Sequence, residues 1–138
     1  MNWEQMQRRC PSARFVSVAS LENYRFAIAR HSRLRNCGTA NIFADRGGEV
    51  WGIVYEVSEA DLIVLDGFED GCRREKLLVS AGGDSQASLE VLVYIAERED
   101  TVPLPNPEYK RLIIEGARHW KIPEFYCSML EQIKAMTD

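Results

Sequence analysis

Three carboxylates crowd one short segment near the middle of the chain, LDGFEDG at residues 65–71. They belong to Asp66, Glu69 and Asp70. Calcium loops need oxygen ligands at alternate positions and a closing glutamate, and the gap from Asp66 to Glu69 breaks that pattern. Phe68 stands beside Glu69, and an apolar neighbour that removes water from a carboxylate makes it a stronger base. The segment therefore favours a general base at Glu69 over a metal site, with a solvated acidic turn as the alternative.

The cysteines are too far apart for a zinc cluster or a redox dithiol, because the chain contains no CxxC or CxxH pair. A nucleophilic cysteine would need a histidine beside it, and the sequence has only His31 and His119. We therefore expect free thiols at all four positions, which are Cys10, Cys37, Cys72 and Cys127.

Three arginines stand close together in the polar segment RHSRLRNCG at residues 30–38. This segment lacks a regular apolar period, so we expect a loop. The side chains of Arg30, Arg33 and Arg35 would collect an anion if they converged, and a solvated loop is the alternative.

Length and charge exclude several classes of protein. The chain has 138 residues, which is the size of a single domain. Its 21 acidic and 17 basic side chains give a net charge of -4, so no global basic field would attract a nucleic acid. No stretch is apolar enough for a signal peptide or a membrane span. We expect one soluble, cytoplasmic domain with neither nucleic-acid nor membrane partners.

The apolar periods predict strands first and packed helices last, an α+β plan with a curled sheet. A short helix begins after Asn2, and another begins after Ser58 and stops at Gly67. Asn106 and Pro107 open a long helix, and Pro123 opens the last one. A glycine turn at residues 45–48 joins two of the strands into a hairpin. The six predicted strands are at residues 14–19, 23–29, 39–43, 49–57, 74–80 and 88–96.

Three segments resemble the gamma-glutamylcyclotransferase (AIG2-like) family in order and spacing. They are GGEVWGIVYEV at residues 47–57, the helix followed by LDGFEDG, and PNPEYKRLIIEGARHWKIPEFY at residues 105–126. The resemblance runs from residue 1 to about residue 130. It implies a small mixed β-barrel of about six strands, flanked by helices of which two are C-terminal.

The resemblance also implies a reaction without metal, cofactor or protein nucleophile. The α-amino nitrogen of a γ-glutamyl amino acid or amine attacks its own γ-carbonyl carbon, which releases the amine and 5-oxoproline. The family's catalytic glutamate matches Glu69, which would move the protons. Two substrate-contacting tyrosines match Tyr109 and Tyr94. For each tyrosine, a packed ring with a satisfied hydroxyl is the alternative.

Two departures from the family lead to further expectations. The family has a tyrosine shortly after the catalytic turn, where this chain has Cys72, Arg73 and Arg74. The family's first strand and its Tyr-Gly-Ser-Asn loop have no counterpart, since Met1 aligns just after them. We therefore expect weak or no activity, and exposed strand edges that favour a homodimer. The alternatives are a non-catalytic binding module on the same barrel, and ring closure of a γ-glutamyl amine.

Overall fold

The computed structural model describes residues 1–69, 71–82 and 87–137. Within these ranges the chain forms four helices and four strands in an α+β arrangement. The helices are α1 (Trp3–Arg9), α2 (Glu59–Phe68), α3 (Pro107–His119) and α4 (Glu124–Glu131), and the strands are β1 (Arg14–Ser32), β2 (Cys37–Glu56), β3 (Cys72–Ala81) and β4 (Ser88–Ala96). Asp70 of the acidic segment lies outside the described residues, as do residues 83 and 84 of the predicted connection between the last two strands.

One long hairpin replaces four of the shorter strands predicted from the sequence. β1 covers the segments predicted at 14–19 and 23–29, and β2 covers those at 39–43 and 49–57. The two strands pair antiparallel along their length and are connected by a turn at residues 33–36. The prediction of about six strands is therefore wrong, and the expected loop at 30–38 is shorter. The hairpin predicted through residues 45–48 does not form.

Two residues with left-handed backbone lie opposite each other where the pairing of the two long strands is irregular. Asn23 has a φ of 64° and Gly47 has a φ of 86°. They meet across the hairpin, where the Gly47 amide donates a hydrogen bond to the Asn23 side-chain oxygen at 3.1 Å. The pairing register shifts at the same place, between Glu22 and Tyr24. The glycine signal at residues 45–48 therefore marks an irregularity within paired strands, and not a chain reversal.

The four strands form one antiparallel sheet in the order β2-β1-β3-β4. β1 and β3 pair at Ala19↔Ala81 and Ser20↔Ser80, a much shorter ladder than those within the two hairpins. The hairpins therefore diverge, and among the described residues the outer strands β2 and β4 are not joined by a backbone ladder. The predicted closed barrel is wrong, and the sheet is open.

Between the described residues of the two outer strands, hydrogen bonds are made by the side chain of Asn41. Asn41 on β2 donates through Nδ2 to the carbonyl of Ala96 at 2.9 Å. The amide of Ala96, at the end of β4, donates to Oδ1 of Asn41 at 3.1 Å. Asn41 is buried, so this pair of hydrogen bonds is shielded from water. It takes the place of one rung of the ladder that a closed barrel would have.

The helices begin at the residues that the sequence predicted. Asn2, Ser58 and Asn106 cap α1, α2 and α3, and each accepts a hydrogen bond from a backbone amide of the first turn. Pro107 occupies the first turn of α3, and Pro123 stands just before α4. None of the helices in the described ranges is long and apolar enough to span a membrane.

The C-terminal helices build the main core and hold α1 in place. Ala117, Tyr126 and Leu130 are buried against the β1–β2 hairpin. Gly116 lies where the start of α1 crosses α3, and a Cβ atom there would come within 2.6 Å of the Met1 carbonyl group. Glycine is therefore required for this close approach, which brings the other end of α1 toward the sheet.

An apolar groove of about 640 Å³ runs along the open side of the sheet. Its walls come from all four strands, α1 and α2, and most of its lining side chains are aliphatic, including Leu65, Val79 and Val91. Leu65 and Val79, at the base of this groove, are already buried.

Candidate active site

A separate, smaller cavity of about 290 Å³ opens where α1, α3, the β1–β2 turn and the end of α2 meet the sheet. This volume is near the lower limit for small-molecule sites, which is about 300 Å³. Among the described residues, its wall contains one carboxylate, that of Glu69. It also contains three arginines and two tyrosines, which are Arg9, Arg30, Arg35, Tyr94 and Tyr109. We call this the Glu69 cavity.

Glu69 caps the end of α2, where its backbone is fixed on both sides. The helix runs through Gly67, where the sequence predicted a stop, and ends at Phe68. The Glu69 amide donates to the carbonyl of Leu65 at 3.0 Å, and its carbonyl accepts from the Cys72 amide at 2.9 Å. The side chain is 30% exposed and lies in the cavity wall. A solvated turn, the alternative considered from the sequence, therefore does not describe Glu69.

Within the described ranges, the Glu69 carboxylate is in contact with two side chains. Arg30, on β1, places Nη1 3.3 Å from Oε2 of Glu69, and its side chain is only 18% exposed. The Cys72 thiol donates to the same oxygen at 3.8 Å. Cys72 holds one of the positions at which the chain departs from the family pattern. The carboxylate is thus an ion-paired acceptor in a partly dry wall, where charged hydrogen bonds are stronger than in water.

Tyr109 is in the first turn of α3, where its amide donates to the cap side chain of Asn106 at 2.7 Å. Its hydroxyl oxygen accepts a hydrogen bond from the Ala40 amide at 2.9 Å. Burial raises the pKa of Tyr109, so the hydroxyl keeps its hydrogen. Within the described part of the chain, that hydrogen has no acceptor. It is therefore available to donate to a molecule in the cavity.

Tyr94 also lines the Glu69 cavity, but its hydroxyl is committed elsewhere. It donates to Oδ1 of Asp66 at 2.6 Å. Asp66 also forms an ion pair with Arg74, whose Nε lies 2.9 Å from the same oxygen. Burial, followed by the bond to Asp66, raises the pKa of Tyr94 to about 12. For Tyr94, the structure thus matches the alternative of a packed ring with a satisfied hydroxyl.

The arginine-rich segment divides between the cavity and solvent. Arg30 and Arg35 line the Glu69 cavity, whereas Arg33 is exposed on the β1–β2 turn. Arg9, at the end of α1, joins them from the other side. The sequence singled out Arg30 and Arg35 through their spacing. It did not single out Arg9, because only the crossing of α1 over α3 brings this residue to the cavity.

The arrangement suits a small anionic molecule on which a proton is moved. The guanidinium groups attract negative charge, the Glu69 carboxylate accepts a proton, and the Tyr109 hydroxyl donates a hydrogen bond. Across the ranges that the structure describes, no group of three or more His, Cys, Asp or Glu side chains is placed to hold a metal ion.

Known proteins resemble this chain in sequence and in fold. The model of the AIG2-like family matches residues 49–130, which is more than half of the chain. The gamma-glutamylcyclotransferase of Bos taurus is 30% identical over 137 residues, covering 95% of this chain and 72% of its own length. The gamma-glutamylcyclotransferase of Homo sapiens is 28% identical over the same shares of the two chains.

A solved structure agrees with these relatives. The structure titled gamma-glutamyl cyclotransferase superposes with a TM-score of 0.86 at 27% sequence identity, covering 98% of this chain and 83% of that one. The matched range includes α2, Glu69 and Tyr109, which form part of the cavity wall. The chain therefore belongs to the AIG2-like family, the gamma-glutamylcyclotransferase family that its sequence resembles.

Proposed function

We propose that this chain closes the ring of a γ-glutamyl amino acid or amine in the Glu69 cavity, as the names of its relatives indicate. The substrate's α-amino nitrogen bonds to its own γ-carbonyl carbon, and the bond from that carbon to the departing nitrogen breaks. The α-ammonium loses two protons and the departing nitrogen gains two. The products are 5-oxoproline and the free amine, and no oxidant or further reactant is consumed.

The observation that carries this proposal is the position of Glu69. Its carboxylate is the one acidic group that the described residues place in the cavity wall, and it is partly shielded from water. In the proposed reaction it removes the two protons from the α-nitrogen in turn and returns each of them to the departing nitrogen. General acid–base catalysis of this kind contributes a factor of about 10² to 10⁴ in rate.

The two tyrosines take different roles in this proposal. Tyr109 donates its hydroxyl hydrogen to the γ-carbonyl oxygen, which becomes negatively charged as the ring closes. Tyr94 forms part of the wall through its ring, since its hydroxyl is bonded to Asp66. The rest of the rate acceleration comes from holding the substrate folded. Proximity alone lowers the activation free energy by up to about 7 to 11 kcal/mol in well-oriented reactions.

The test is the release of 5-oxoproline from γ-glutamylalanine, comparing the chain with Glu69→Gln. We expect the variant to lose a factor of about 10² or more in kcat, because an amide cannot accept the proton. Glu59→Gln is the matched control, since Glu59 is exposed on the same helix. Unchanged turnover in Glu69→Gln, with thermal melting showing that it is folded, would overturn the proposal.

Two expectations from the sequence are decided by the same assay. The weak activity of this chain stays a prediction, which the measured rate will test. If no 5-oxoproline forms while γ-glutamyl compounds still bind, the chain is a binding module on the same fold. The cytoplasmic location and the homodimer also stay predictions.

A further inference from the structure

Arg9 and Arg35 converge on the Glu69 cavity without forming an ion pair with any described carboxylate. The third cavity arginine, Arg30, is paired with Glu69. All other ion pairs between described residues are made by arginines outside the cavity. Among the described residues, the cavity wall therefore has three guanidinium groups and one carboxylate, so two of the guanidinium charges are not matched by a described carboxylate of the wall.

Each of the two arginines rests on an aromatic ring of the cavity. The guanidinium carbon of Arg9 lies 4.1 Å from the centroid of the Phe68 ring. That of Arg35 lies 5.0 Å from the centroid of the Tyr109 ring. A guanidinium that contacts a ring through its face keeps its N–H donors around its edge. Both side chains are thus oriented by the wall while their donors stay available to a ligand.

The two cations also affect each other. Burial lowers the pKa of Arg9, and the positive charge of Arg35 lowers it further. Placing like charges together in a partly buried wall costs free energy, which a bound anion would recover. A carboxylate fits this position, since its two oxygens match the paired donors of a guanidinium.

We infer that Arg9 and Arg35 form a carboxylate-binding pair that sets the specificity of the Glu69 cavity. The inference rests on the proposed function, because a γ-glutamyl amino acid supplies the carboxylate. Two carboxylates of that substrate have the required chemistry: the α-carboxylate of the glutamyl unit and the carboxylate of the departing amino acid. A γ-glutamyl derivative of a simple amine has only the first of them.

Three compounds separate these sources: γ-glutamylalanine, γ-glutamylalaninamide, and γ-glutamylalanine with its glutamyl α-carboxylate converted to an amide. Binding is measured by calorimetry in the Glu69→Gln background, and kcat/KM in the chain with Glu69 intact. Arg9→Gln and Arg35→Gln are compared with the controls Arg8→Gln and Arg33→Gln. These controls suit the test because Arg8 and Arg33 are exposed neighbours on the same helix and the same turn.

We expect each cavity variant to weaken the binding of γ-glutamylalanine by a factor of about 10 to 100, the value of a charged hydrogen bond. The control variants should bind as the parent does. For the amide that lacks the carboxylate held by the pair, the cavity variants should cause no further loss, as in a double-mutant cycle. Equal losses with all three compounds, or no loss with any, would overturn the inference.

The outcome also separates this inference from the proposed function. If the carboxylate preference is present in binding but no 5-oxoproline forms, the inference stands and the function fails. If 5-oxoproline forms but the losses are equal for all compounds, the function stands and the inference fails. Should a glutamine variant not fold, the lysine variant makes the same comparison, because it keeps the charge and loses the paired donors.

Discussion

At the scale of single residues, the two tyrosines of the cavity differ in what their hydroxyl groups contact. The Tyr109 oxygen accepts from the Ala40 amide, whereas the Tyr94 hydroxyl donates to Asp66. The hydroxyl hydrogen of Tyr109 is therefore available to a ligand, whereas that of Tyr94 is already used in a hydrogen bond. Mutation to phenylalanine, which removes only the hydroxyl, distinguishes a group that contacts the substrate from one that supports the wall.

We predict that Tyr109→Phe lowers kcat for 5-oxoproline release by a factor of about 100, because one donor to the developing negative charge is lost. Tyr94→Phe should leave kcat close to that of the parent and act on stability instead, because it removes the bond to Asp66. Steady-state kinetics and thermal melting of both variants check this pair of outcomes. Equal losses of kcat in the two variants would contradict the assigned roles.

The local sequence was sufficient to identify some of the residues of the cavity as candidates, but not others. Glu69 stands out through its acidic segment and its apolar neighbour, and Arg35 through the spacing of three arginines. Arg9 gave no such signal, because it reaches the cavity only through the close crossing of α1 over Gly116. Contacts between distant elements are not encoded in the pattern around one residue, so this part of the site was not predictable.

At the scale of the elements, the helix starts were predictable and the strand lengths were not. A cap such as Asn106 acts on amides within its own first turn, so its signal is local. Gly47 has a signal that is typical of a turn, but its partner is Asn23 on the other strand. Whether such a glycine reverses the chain or bends a paired strand depends on that distant partner. The predicted hairpin at residues 45–48 was wrong for this reason.

We predict that Gly47→Ala lowers the free energy of unfolding by about 1 to 2 kcal/mol, since an alanine is strained in left-handed backbone. Gly47 has a φ of 86°, and a Cβ atom there would meet no other atom within 4 Å, so strain is the only penalty. Gly52→Ala is the control, because Gly52 has the same open surroundings without a positive φ. Urea denaturation measures both, and equal effects would contradict this account.

At the scale of the whole molecule, the open sheet is the main difference from the predicted barrel. The two hairpins meet through two residue pairs between β1 and β3, and Asn41 bridges the outer strands. The α+β class and the packing of the C-terminal helices were predictable from apolar periods. Closure of the sheet into a barrel was not predictable, because it depends on whether the two outer strands come within hydrogen-bonding distance along their full length.

We predict that Asn41→Ala lowers the free energy of unfolding by about 2 to 5 kcal/mol, because the buried amide and carbonyl of Ala96 both lose their partner. Thr39→Val is the comparison, since Thr39 is buried on the same strand and its hydroxyl bonds within the β1–β2 hairpin. That variant should cost about 1 kcal/mol. Urea denaturation would contradict the role of Asn41 if the two variants were equally stable.

Asn41 lies in the wall of the Glu69 cavity as well as between the outer strands. One side chain therefore belongs both to the cavity wall and to the contact between the two strands. By thermodynamic reciprocity, a bound molecule that competes for the Asn41 side chain would weaken its hydrogen bonds to Ala96. A molecule that favours the present position of Asn41 would strengthen those hydrogen bonds. We therefore expect the strength of the contact between β2 and β4 to depend on whether the cavity is occupied.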